Sequence, residues 1–250
     1  MHHTEKTSPM APLVVLLMPW GRVGSNLVNN VVAQSKLLRV WNEPLTGVQT
    51  RVISRGGTLD DVGEEQRAWL EEHVVPATEG IFLNIAANSL RFPDEVRDTI
   101  APRAPSYIVL DRHDDLATAI SALRTSAWVR EGIEKGETRS WAIPSGESVN
   151  FRPRIEPEQL ASAFRIIRSG RQNIDKFATP ATVRLFYEDL VADMEGTMHQ
   201  LLQAAGIAPF PFKVTSGKFG AAALCDMVQN ADELAVVAKE YGAVTSLTLL

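Results

Sequence analysis

The segment Leu13-Val-Val-Leu-Leu-Met-Pro-Trp-Gly-Arg-Val-Gly-Ser-Asn26 constrains this chain more than any other. Six consecutive apolar residues run into a turn with two glycines, and an amphipathic pattern follows over Asn26–Gln34. A short apolar run bounded by turn residues reads as a strand buried on both faces, the habit of parallel sheets. A strand that turns at once into a helix aims free backbone N–H groups and the positive helix end at one point. That is an anion site in outline. Gly21 and Gly24 let the backbone close on a phosphate, with Arg22 and Val23 between them. Arg22 supplies a cation, and Ser25 and Asn26 add side-chain donors. The spacing excludes two common loops. No lysine follows Gly24, as a nucleotide-triphosphate P-loop requires, and Gly21-x-x-Gly24 is not the dinucleotide fingerprint. Read alone, the segment is equally a plain strand–helix turn with a surface arginine.

The strand–helix pattern recurs along the chain. Ile81–Ala86, Tyr107–Asp111 and Val183–Tyr187 read as further short buried strands. Leu116, Ala119, Ile120 and Leu123 form a helical stripe. Leu160, Ala163, Phe164, Ile167, Ile174 and Phe177 trace a long amphipathic helix, with Gly170 as a break. Met194, Met198, Leu201, Leu202 and Ala205 trace another, with Gly206 where a left-handed cap belongs. Strands alternating with helices imply an α/β fold with a central, mainly parallel sheet flanked by helices. Residues 1–12 read as a loose leader and 13–250 as one domain. Arg130–Pro157, rich in glycine, proline and charge, reads as a long excursion serving as a lid.

A second constellation follows the Tyr107–Asp111 strand. Arg112 stands at its carboxyl end, where open α/β sheets bind ligands, and Ser121 follows in the next helix, with Asp114 as its N-cap. An arginine there holds phosphate through forked donors, and a serine adds a hydroxyl. Taken singly, Ser121 is an ordinary helix residue and Arg112 a salt-bridge partner just as readily.

Composition narrows the partners. Lys plus Arg is 25 and Asp plus Glu is 30, a net charge of −5, which argues against a nucleic-acid polymer. One cysteine, Cys225, leaves no intramolecular disulfide and no cysteine zinc cluster, so a reducing, cytoplasmic setting is expected. The Leu13–Met18 run is far too short to span a bilayer. The five histidines form no metal-ligand pattern, and no metal is expected.

The ordered set of motifs resembles the sulfotransferases that use 3′-phosphoadenosine 5′-phosphosulfate (PAPS), nearest to the trehalose sulfotransferase-type group. Gly21-Arg-Val-Gly-Ser-Asn26 is similar to that family's 5′-phosphosulfate loop, with Asn26 in place of its hydroxyl residue. Arg112 and Ser121 are similar to its 3′-phosphate motif, and Leu185-Phe-Tyr-Glu-Asp-Leu190 to a third block whose acidic residues brace neighbouring loops. The resemblance implies a P-loop-like sulfotransferase fold and transfer of a sulfuryl group from PAPS to a hydroxyl, on a carbohydrate or glycolipid, leaving adenosine 3′,5′-bisphosphate (PAP). It implies Glu43, in Val40-Trp-Asn-Glu-Pro44, as general base and Arg22 as the cation for the departing phosphate. Lys218, in Ser216-Gly-Lys-Phe-Gly220, is a further candidate for the 3′-phosphate. His113 is read as a bystander. The acceptor pocket is expected in loops such as Arg51–Gly63 and Arg130–Pro157, and a homodimer is compatible with the resemblance. Two alternatives stay open: a P-loop nucleotide kinase or NTPase, and a catalytically inactive PAP-binding protein of the same fold.

Overall fold

A computed structural model describes residues 11–139, 151–214 and 223–243. Five strands form one sheet: β1 (Leu13–Met18), β2 (Arg39–Asn42), β3 (Ile81–Ala86), β4 (Ser106–Asp111) and β5 (Val183–Phe186). Their order is β2-β3-β1-β4-β5, and every pairing is parallel. Ten helices connect and cover them among the described residues: α1 (Ser25–Gln34), α2 (Pro44–Ser54), α3 (Leu59–His73), α4 (Pro93–Ile100), α5 (Asp115–Glu134), α6 (Pro157–Asp175), α7 (Tyr187–Ala192), α8 (Met194–Ala204), α9 (Leu224–Met227) and α10 (Ala231–Glu240). The fold is α/β, a central parallel sheet flanked by helices.

The alternation of side chains along β1 builds two cores at once. Val14, Leu16 and Met18 face Val28, Val31 and Val32 of α1 and Met198, Leu201 and Leu202 of α8. Leu13, Val15 and Leu17 face Leu70 of α3, Val96 and Ile100 of α4, and Ile174 of α6. Every residue of β1 and β3 is buried, which explains their unbroken apolar reading. A third cluster joins Leu116, Ala119 and Ile120 of α5 to Leu160, Ala163, Phe164 and Ile167 of α6 and Leu234 of α10. Among the described residues no helix is long and apolar enough to cross a membrane.

Several expectations are corrected. β2 was not anticipated: it is a four-residue edge strand, half-exposed and polar at both ends, so it offers neither an apolar run nor clean alternation. Tyr187 opens α7 rather than closing β5. Arg130–Glu134 belong to α5, which runs 20 residues, so the excursion begins later; residues 140–150 of it lie outside the described residues, as do residues 1–10 of the leader. Arg51–Gly63 is not a loop. Arg51–Ser54 end α2, and Thr58 starts α3 with a capping box in which its hydroxyl accepts from Asp61 N–H at 3.2 Å. Gly206 does cap α8, at φ 70°. The N–H groups of Gly206 and Ile207 reach back to the carbonyls of Gln203 and Leu202 at 3.0 and 2.8 Å, as a left-handed terminus requires.

Gly170 does not break α6. A Cβ at this position would lie 2.0 Å from the Pro19 carbonyl oxygen, on the chain leaving β1. The glycine is there for a close approach of helix to strand exit, not for a kink. Replacement Gly170→Ala is therefore expected to destabilise the fold by at least about 1–3 kcal/mol, read as a fall of several degrees in melting temperature. An unchanged melting temperature would show that α6 can move off the β1 exit without loss.

Candidate functional site

The strand order puts a topological switch point between β1 and β4. The chain leaves β1 toward β2 on one side and leaves β4 toward β5 on the other, so their exits open a crevice at the carboxyl edge of the sheet. The Gly21–Asn26 turn and the Arg112–Asp114 turn face each other across it.

The β1 turn is shaped by two left-handed residues, Arg22 at φ 75° and Gly24 at φ 95°. Gly24 is demanded twice, since a Cβ there would also lie 3.1 Å from the Tyr187 ring. Leu27 and Val28 donate their N–H groups to the Gly24 carbonyl at 3.0 and 3.2 Å. The N–H groups of Ser25 and Asn26 precede the first turn's bonds, and the positive end of α1 adds to them. Gly21, Arg22, Val23, Gly24, Ser25 and Asn26, the residues expected to cradle an anion, thus form one turn that leads into the N-terminus of α1.

Arg22, in this turn, feels the charges of Arg112 and Glu43. Arg22 donates from Nε to Ser121 Oγ of α5 at 3.1 Å. Burial, and then Arg112, hold the Arg22 guanidinium below the usual arginine value, while Tyr187 and Glu43 act in the opposite sense. The Arg112 guanidinium lies over the Tyr187 ring, 4.5 Å from its centroid, with Nε 3.8 Å from Glu188 Oε1. Ser121 thus bonds Arg22, and Arg112 sits against Tyr187. Ser121, Arg112 and Glu43 each act on Arg22, and no Arg112–Ser121 bond is present among the described residues; Lys218 lies outside the described residues.

Glu43 stands between β2 and α2 with φ 50°, again left-handed. Its N–H donates to the Asn84 carbonyl at 3.1 Å, and its carbonyl accepts from Gly47 N–H at 3.2 Å, so the backbone is fixed on both sides. Burial pushes the carboxyl above the ordinary glutamate value, and Arg22 draws it part of the way back. A carboxylate so placed is a better proton acceptor than a free surface glutamate.

Sequence reasoning found the charged residues but missed what holds them. Arg171 of α6 donates Nε to Asp111 Oδ2 at 2.8 Å, Nη2 to Asp115 Oδ1 at 2.7 Å, and Nη2 to the Arg112 carbonyl at 2.9 Å. Burial draws Arg171 down, but the two carboxylates raise it well above its ordinary value. Glu188 accepts from the N–H groups of His113 and Asp114 at 3.1 and 3.4 Å, bracing the β4 turn as the third block implied. The Asp114 side chain caps α5 through Ala117 N–H at 2.7 Å. The His113 ring is exposed and stacked on Phe186, 3.8 Å between centroids. Arg124, one turn beyond Ser121, is 3% exposed and was also missed. Only the spacing of Asp111 and Asp115 around Arg112 hinted at a cationic partner, and nothing local pointed to Arg171.

The Glu43 environment makes a testable statement about pH. Its folded-state value exceeds its unfolded value, so ionisation disfavours the folded chain as pH rises through that window. Glu43→Gln is expected to raise the melting temperature relative to the parent at neutral pH. The gain should vanish below the ordinary glutamate value of about 4.3, where both states are protonated. Parallel melting curves for parent and variant across the whole range would refute the raised carboxyl.

No protein-family model matches the chain, and no curated protein matches its sequence. Solved structures similar to it include a sulfotransferase from Alicyclobacillus acidocaldarius, at 10% identity over 95% of this chain and 98% of that one, with a TM-score of 0.46. The sulfotransferase domain of the Synechococcus PCC 7002 olefin synthase aligns at 14% identity over 84% and 78%, with a TM-score of 0.43. A mouse sulfotransferase complexed with PAP aligns at 11% identity over 95% and 72%, with a TM-score of 0.40.

Proposed function

We propose that this chain is a sulfotransferase that moves a sulfuryl group from PAPS to a hydroxyl. The observation that carries the reading is the meeting, at one switch-point crevice, of an open helix N-terminus, Arg22, Arg112, Ser121 and a half-buried glutamate. The motifs that predicted these residues are spread over the first half of the chain, and the fold gathers them.

In this reading the Gly21–Asn26 turn holds the 5′-phosphosulfate, and Arg112 with Ser121 holds the 3′-phosphate. The acceptor oxygen attacks sulfur while the bond from sulfur to the bridging phosphate oxygen breaks. The hydroxyl proton passes to the Glu43 carboxylate. Negative charge collects on the departing PAP, where Arg22 offsets it. The transfer asks for a proton acceptor and a cationic clamp, the roles this reading gives to Glu43 and to Arg22 with Arg112. For the acceptor we propose a carbohydrate or glycolipid hydroxyl, on the resemblance to trehalose sulfotransferase-type enzymes.

Two measurements test the reading. PAP at about one hundred times its dissociation constant adds about 2.7 kcal/mol of stability, and a comparison with ATP–magnesium and NAD should show the largest melting shift with PAP. No shift with PAP removes the proposal, and a larger shift with ATP–magnesium favours a kinase or NTPase. Glu43→Gln should then lower turnover from PAPS by about 10²–10⁴-fold with PAP binding retained. Turnover at the parent rate would remove Glu43 from the chemistry, and PAP binding without turnover on any acceptor would favour an inactive binding protein.

A further inference from the structure

Strand β3 is apolar except at one place. Asn84 stands in Ile81-Phe-Leu-Asn-Ile-Ala86 with 0% exposure, and β3 itself lies between β2 and β1. Asn84 donates from Nδ2 to Oδ1 of Asn42, its register partner on β2, at 3.1 Å. Asn29 of α1, 6% exposed, donates its own Nδ2 to the same oxygen at 2.7 Å. Both lone pairs of that oxygen are then filled, so the Asn42 side chain is held although the residue lies on an exposed edge strand. The Oδ1 atoms of Asn29 and Asn84 are buried and accept no bond among the described residues.

The arrangement weakens the fold locally, because a buried amide costs free energy when part of it goes unpaired. A leucine at position 84 would continue the apolar run and remove an orphaned oxygen, and Asn42 would keep its bond from Asn29. Local rules broken without a return in stability are characteristic of functional positions.

The neighbour of Asn42 gives the amides a task. Glu43 sits at φ 50° and ψ 45° and is followed by Pro44, so it departs from two backbone preferences at once. Left-handed backbone disfavours any residue with a Cβ, and the residue before a proline is driven toward extended backbone. Strain of this kind persists only where the surroundings over-determine it. Asn84 contributes twice. Its carbonyl takes the Glu43 N–H at 3.1 Å, one step past the end of β2, and its side chain pins Asn42.

We propose that Asn84, Asn42 and Asn29 are positioning residues for Glu43, locking the end of β2 and so holding the glutamate in its left-handed conformation. The inference rests on the sulfotransferase reading for the reason Glu43 must be held, as the base, and goes beyond it in assigning the three amides. They act through Glu43. With the lock released, the carboxyl can turn to water, away from the half-buried setting in which Arg22 acts on it.

The test is a double-variant cycle on the full chain without nucleotide, read as melting temperature from about pH 4 to about pH 8. In the parent background, Glu43→Gln raises the melting temperature at neutral pH, as argued above. In an Asn84→Leu background that gain should shrink by about half or more, because the released carboxyl titrates near the ordinary glutamate value of about 4.3. Asn84→Leu alone should melt no lower than the parent. An equal Glu43→Gln gain in both backgrounds makes the amides structural and overturns the inference, as does a parent that shows no gain at any pH. If Asn84→Leu does not fold, Asn42→Ala at the exposed edge takes its place in the cycle, with the same loss of the gain expected. The sulfotransferase reading fails separately, by the absence of a melting shift with PAP, and the cycle still reports on Glu43.

Discussion

Helix α6 crosses the carboxyl ends of three adjacent strands, and the geometry of the crevice depends on how closely it does so. Gly170 admits the Pro19 carbonyl where any side chain would collide. Its neighbour Arg171 grips Asp111 at the end of β4, Asp115 at the start of α5 and the Arg112 carbonyl between them. Asn173 donates Nδ2 to the Ala87 carbonyl beyond β3 at 2.9 Å, and Asn88 N–H closes on the Pro19 carbonyl at 3.2 Å. The exits of β3, β1 and β4 are thus tied to one rod. The Arg171 side chain is 36% exposed, so its ion pairs are partly screened and add only modestly to stability. Their value is positional. Catalytic and binding groups must be held within fractions of an ångström, and a helix spanning three strand ends does this better than loops alone.

That clamp marks the boundary of what the sequence discloses. The apolar run of β1, the stripes of α6 and α8 and the Asp114 and Gly206 caps are local signals, and each is set by a few neighbouring residues. Arg22, Glu43, Arg112 and Ser121 could be singled out as candidates, because ordered motifs survive without any knowledge of distance. Gly170 was not. Local propensity reads a mid-helix glycine as a weakness, whereas its reason is a contact with a strand exit about 150 residues earlier. The Arg171–Asp111 pair spans 60 positions and carries no periodic signature. The pairing of Ser121 with Arg22 rather than Arg112 was equally invisible, since motif order says nothing of which side chains meet.

Backbone strain falls where the chemistry is proposed. Among the described residues four non-glycine positions have positive φ: Arg22, Lys36, Glu43 and Ala104. Two of them are the proposed cation and the proposed base. Such conformations cost about 1 kcal/mol or more each, and glycine would remove that cost at either position. It would also remove the guanidinium or the carboxyl. The turn directs each side chain as well as carrying it, and the two lie near enough for each to act on the other's charge.

Mutual influence of this kind bears on how a chain of net charge −5 could take the anionic donor proposed for it. Charges on the surface act through water and are screened beyond a Debye length of about 8–10 Å. A long polyanion meets the whole acidic surface at once and is repelled. Under the proposed function, a small nucleotide entering the crevice would meet Arg22 and Arg112 first, in a region of lower dielectric where each interaction is stronger. Burying Arg22 costs solvation and leaves it repelling Arg112. Under the proposed function, an anion small enough to lie beside Arg22 and Arg112 would ease the repulsion between those two charges, whereas a long polyanion could not avoid the acidic surface.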